Sequence, residues 1–118
     1  MCFSLPTNLT EQRVIKAVEV IPGNPEIVHH VLVYVDQNGT EVTDTIGGNC
    51  ASPSSFNTKL VGGFTPGATP IIFPNQDQIK LGVTVDPGAK IYLNTTNVFL
   101  HDSDHSPFLY HDIHPVLF

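Results

Sequence analysis

At 118 residues, with 41% hydrophobic and 14% charged side chains, the chain is the size of one domain with a modest core and too apolar to be disordered. A formal net charge of -6, with only five lysines and arginines, argues against nucleic acid or an anionic membrane surface as a partner. Ten prolines and nine glycines favour many turns, hence strands rather than long helices.

The first long apolar stretch, RVIKAVEVI at residues 13–21, puts Val14, Val18 and Val20 on even positions and Ile15, Ala17 and Glu19 on the other face. That alternation predicts one strand with one buried side. PGNP at 22–25 breaks it, and IVHHVLVYV at 27–35 is a second, β-branched and aromatic strand. The Asn38-Gly39 pair in DQNGT predicts a tight hairpin, because both residues tolerate positive φ, with the polar TEVTDT at 40–45 as return strand.

Residues 46–58, IGGNCASPSSFNT, read as an excursion loop, and KLVGGFTPGATPIIFP at 59–74 as short apolar pieces cut by Gly and Pro. IKLGVTV at 79–85 alternates Ile79, Leu81, Val83 and Val85 against Lys80, Gly82 and Thr84, predicting another strand. DPGAK is a turn, and IYLNTTNVFL a last strand. No helical periodicity survives beyond a turn near NLTEQ, and there is no repeat or domain boundary. The expected fold is therefore all-β, an antiparallel sandwich of short strands in a single domain. Residues 101–118, HDSDHSPFLYHDIHPVLF, form a tail without periodicity that holds four of the six histidines and three aspartates.

No apolar run reaches the ~20 residues that span a bilayer. Met1 is followed at once by CFSLP, without the basic start and apolar core of a secretory leader. A soluble domain, trimmed of any leader, is the expectation.

Chemistry concentrates on histidine. His29 and His30 stand together at the mouth of a strand, where neighbouring side chains ordinarily point to opposite faces. Imidazole is a common ligand for copper and zinc, and adjacent histidines can share one metal where the pleat is broken, at a strand start or a bulge. The pair follows PGNPE, which suits that condition. The alternative is one buried, satisfied histidine and one solvated neighbour.

In the tail, His101 and His105 have the i, i+4 spacing of a helical zinc site, but HDSDHSP is a poor helix. With His111 and His114 they read as a solvated polar tail or a weak adventitious metal site. Nucleophilic catalysis has no support: there is no C-x-x-C, no G-x-S-x-G and no phosphate-cradling glycine loop. Asn8, Asn38 and Asn94 each head an N-x-[ST] triplet, a pattern short enough for chance. Cys2 and Cys50 are either two idle thiols or one intrachain bridge, whose loop closure would contribute about 4 kcal/mol.

The stretch CFSLPTNLTEQRVIKAVEVIPGNPEIVHHVLVYVD, followed by GGFTPGATPIIFP and IKLGVTVDPGAKIYL, resembles the N-terminal domain of the copper type II, ascorbate-dependent monooxygenases. This is the family of the peptidylglycine α-hydroxylating and dopamine β-monooxygenases, with bacterial relatives closest in wording. The resemblance runs over residues 2–100 and places a domain at 1–100 ahead of the tail.

The resemblance implies a β-sandwich of jelly-roll type with one copper held by His29, His30 and a third, later histidine. It implies that this copper passes electrons from an ascorbate-type reductant. Oxygen activation belongs to a second copper in a following domain that these residues do not include. It also implies a disulfide between Cys2 and Cys50, hence an oxidising, extracytoplasmic location, periplasmic or secreted.

The sequence departs from the family at the third ligand, where Thr96 stands in the strand matching KIYLNTT. Threonine cannot replace imidazole on copper. Either a segment carrying that histidine is missing after Thr95, or a tail histidine takes its place. Two imidazoles alone suit Cu(I) and hold Cu(II) poorly. The expected function is a copper-binding, electron-transfer domain that does not hydroxylate substrate alone. The rivals are a metal-free binding or structural module and a metal binder built on the tail.

Overall fold

In the computed structural model the described residues are 1–41, 53, 57–97 and 113–115. Among them every regular element is a strand. These are β1 (Cys2–Pro6), β2 (Arg13–Ile15), β3 (Ala17–Val18), β4 (Val20–Pro22), β5 (Val28–Asp36) and β6 (Thr58–Phe64). They continue with β7 (Ile71–Ile72), β8 (Asn75–Gln76), β9 (Ile79–Lys80), β10 (Val83–Val85), β11 (Lys90–Asn97) and β12 (Ile113–Pro115). All described pairings are antiparallel, so the fold is all-β.

The two longest β-branched and aromatic runs, β5 and β11, lie side by side in the middle of a four-stranded sheet ordered β1-β11-β5-β6. Alternation along each strand sends Phe3, Leu93 and Val33 to one face as neighbours on a single rung, with Ile91, Val31 and Val35 above and below. The remaining strands form two-stranded ladders, β10-β2, β12-β4, β3-β7 and β8-β9. Ile15, Val18, Val20 and Val85 of these ladders join the same apolar cluster and close the core. The opposite face is itself closed over Cys2, Ser4, Tyr92 and Asp36, but opens toward the far end of β11, where Thr96 is exposed.

The single strand expected over 13–21 is three pieces. Ile15 is buried and Val14 exposed, whereas three residues on it is Val18 that turns inward. An odd separation between inward residues is incompatible with a continuous pleat. The chain breaks at Lys16, and β2, β3 and β4 take three different partners. IKLGVTV is likewise two strands, with Ile79 and Leu81 exposed. A side chain at Gly82 would run into Val14 and the Ile15 carbonyl, so the ladder changes there.

The Asn38-Gly39 turn is present, with Gly39 N–H donating to the Asp36 carbonyl at 3.2 Å, but only Gly39 has positive φ. Both edges of β5 are taken as far as Asp36, one by β11 and the other by β6. Beyond Glu41 the expected return strand TEVTDT, with most of the expected excursion loop, lies outside the described residues.

The DPGAK turn has Pro87 and then Gly88 at φ +84°, with Ala89 N–H donating to the Asp86 carbonyl at 3.1 Å, the pattern of a type II turn. Nothing lies within 4 Å of a Cβ built on Gly88, so the only penalty of a side chain there is conformational. Gly88→Ala is expected to cost about 1–2 kcal/mol, read as a lower urea midpoint at unchanged slope.

Candidate metal centre

The approach to β5 is an Asx-type turn. Asn24 Oδ1 accepts from Glu26 N–H at 3.1 Å, and the Asn24 carbonyl accepts from Ile27 N–H at 3.4 Å. The strand then pairs with β11 in a register that slips once. Val31 faces Thr95, His30 faces Thr96, and Val28 faces Asn97, leaving His29 without a rung of its own. This is a β-bulge, in which two residues of one strand oppose one of the other.

The extra residue resets the parity of the strand. Val28 and Val31 both point into the core although they lie three apart. Between them the two imidazoles meet instead of splaying. Their Nδ1 atoms are 3.0 Å apart, the ring centroids 5.2 Å, and the ring planes cross at 66°. His29 is exposed and His30 half-buried, so the meeting point is open to solvent.

This geometry suits a first-row metal. Bonds of about 2.0–2.1 Å to each nitrogen, the length usual for imidazole on zinc, would span the 3.0 Å gap at an angle of about 95°. Imidazoles at near right angles fit tetragonal copper(II). Without metal, the same distance is a hydrogen bond in which one ring donates and the other accepts. The donor set fits copper in kind and spacing but supplies only two ligands. Among the described residues no group of three His, Cys, Asp or Glu could hold a metal.

Thr96, which stands where the resemblance expects a third histidine, is the one residue of β11 opposite the bulge. His101, His105 and His111 lie outside the described residues. The backbone of His114 is in β12, opposite Ile21 of β4. Cys2 is fully buried opposite Asn94, and Cys50 lies outside the described residues.

Further along the same face Tyr34 and Tyr92 form an edge-to-face pair with centroids 6.0 Å apart. Burial first, then the Glu41 carboxylate and Tyr34, hold the Tyr92 phenol above its ordinary value. A raised phenol favours the folded state at all pH below the ordinary phenol value, and that contribution is lost as pH rises through the raised one. Beyond the tyrosines Asp36 is fully buried. Its Oδ2 accepts from Glu41 N–H at 2.8 Å, while Oδ1 has no partner among the described residues.

The slip lies in Val28-x-x-Val31-x-Val33-x-Val35, but the sequence alone does not signal it, because Ile27 continues the unslipped alternation of Val31, Val33 and Val35. Compared with protein-family models, with curated proteins and with solved structures, the chain finds no match in any of the three.

Proposed function

We propose that the chain is a copper-binding module whose ligands are His29 and His30, related to the electron-transfer domain of the type II copper monooxygenases. The observation that carries this reading is the 3.0 Å approach of the two Nδ1 atoms at the bulge. Two paired imidazoles on an otherwise regular strand would point apart. The bulge brings them together, and it does so where solvent and a small reductant can reach.

In this reading the strands form a β-sandwich of jelly-roll type. Bound copper supplies one-electron chemistry, with an ascorbate-type molecule as reductant. His29 and His30 anchor the ion, and the backbone of β5 and β11 fixes the distance between them. Hydroxylation of a substrate requires the second copper domain that the family implies, so this unit alone exchanges electrons and goes no further. A Cys2–Cys50 disulfide and an extracytoplasmic location belong to the same proposal.

One observation favours a second reading. Thr96 stands opposite the bulge, and the resemblance assigns the third ligand to that residue, so its identity supports a module that has lost copper and survives as a metal-free binding or structural unit. Copper titration separates the two. The parent is expected to take up one equivalent, and His29→Ala with His30→Ala to abolish that uptake. Equal Cu(I) affinity in parent and double variant would reject the copper reading.

A further inference from the structure

We propose that Asn8 and Asn38 are attachment sites for asparagine-linked oligosaccharide, and that Asn94, which heads the same kind of triplet, is not. The proposal rests on the extracytoplasmic location proposed above and is independent of copper.

The two acceptor triplets lie outside the strands, where the chain bends. Asn8 sits between β1 and β2 at φ +55°, and both Asn8 and Thr10 are exposed. Leu9 between them packs against the core, so the loop is anchored while its flanking side chains face solvent. Asn38 and Thr40 are likewise exposed on either side of Gly39, which is at φ +62°.

Exposure and bending are what the chemistry needs. Transfer forms a bond from the asparagine Nδ2 to C1 of a sugar carried on a lipid-linked pyrophosphate. The bond from C1 to the pyrophosphate breaks, the lipid pyrophosphate leaves, and the amide gives up one proton. A transferase must reach the amide and the hydroxyl two residues on together, and the finished glycan must stand outside the fold.

Asn94 meets neither condition. It lies inside β11 between Cys2 of β1 and Leu32 of β5, and is half-buried. In an extended strand it and Thr96 are held about 6.5–7 Å apart. An oligosaccharide there would lie against a face that is closed over Cys2 and Tyr92.

The fold also gathers the two acceptors, although thirty residues of sequence separate them. Beside Asn8, the Thr7 N–H and hydroxyl both donate to the Ala89 carbonyl, at 3.3 and 2.8 Å. Gly39 lies against Gly88, whose carbonyl a Cβ on Gly39 would meet at 2.9 Å. Asn8 and Asn38 therefore flank the 86–89 turn that leads into β11. The histidine pair faces the other end of that strand, and from Lys90 to Thr96 is about 20 Å. Glycans at these positions coat the end of the sheet away from the histidines and leave the pair open.

The test is expression of the full chain behind a secretory leader in a eukaryotic cell. The secreted protein is mapped by mass spectrometry before and after an amidase that removes asparagine-linked glycans and leaves aspartate. The parent is expected to carry glycan at Asn8 and Asn38 and none at Asn94. Asn8→Gln and Asn38→Gln should each lose one glycan. Thr10→Ala and Thr40→Ala should do the same while leaving the asparagine and its backbone in place. Asn94→Gln should keep both.

Protein recovered from the medium has met the transferase. A parent bare at Asn8 or Asn38, or glycosylated at Asn94, overturns the proposal and leaves the location and the copper reading standing.

Discussion

Deleting His29 is expected to abolish chelation while leaving the sheet folded. In the observed register His29 is the surplus residue, because His30 already faces Thr96 and Val28 already faces Asn97. Its removal brings Val28 next to His30 without changing either pairing, and Val28 keeps its inward direction on a now regular pleat. One imidazole then remains where there were two.

Copper affinity should fall by more than the roughly 10–100-fold that loss of an outer-shell group costs at a metal site. Folding stability should change by no more than about 1 kcal/mol, since nothing leaves the core. Chelator competition and urea unfolding on the same protein check the two halves. Retained affinity would mean that the ion is held elsewhere. An unfolded deletion variant would mean that the bulge is needed for the fold itself.

The second large effect is on stability. Leu93 sits mid-strand in β11 on the rung that runs Phe3, Leu93, Val33, and it is 1% exposed. Leu93→Ala removes three methylene-sized groups from a site walled on both sides by paired strands, so collapse of the cavity is restricted. The expected loss is about 2–5 kcal/mol, a large share of the about 5–15 kcal/mol typical of a domain. Leu60→Ala on β6, at 58% exposure, is the internal control and should cost within about 0.5 kcal/mol. Comparable losses at the two sites would contradict the placement of the core.

How far the sequence disclosed this structure depends on whether local pattern or partner choice decided each element. β5 and β11 were legible because long β-branched and aromatic runs bury at least one face wherever they pair. The 86–89 turn was legible because Pro followed by Gly fixes a type II geometry locally. The break of 13–21 into three strands was not. Val14, Val18 and Val20 give a clean alternation, but the choice of Ile15 over Val14 as the buried residue is made by β10, which pairs there. What lies beside β5 was not legible either, because Asn38-Gly39 specifies a turn and not the partners of the strand before it, which are β6 and β11.

At the candidate metal centre the residue types were visible at once and the geometry was not. Two adjacent histidines in a strand fit a shared ion and a splayed, unrelated pair equally well. The slip between Val28 and Val31 decides in favour of convergence, and it became readable only once both valines were known to point inward. Thr96 shows the reverse. Resemblance singled it out as a missing ligand, while only the ladder reveals that it faces both histidines at once.

The most direct test is a crystal of the full chain grown with one equivalent of copper, measured on either side of the copper absorption edge. A single dominant anomalous peak between His29 Nδ1 and His30 Nδ1 is expected, with Thr96 as its nearest neighbour on β11. A peak in the tail with none at the bulge, or rings found turned to opposite sides of an unbroken ladder, would contradict it.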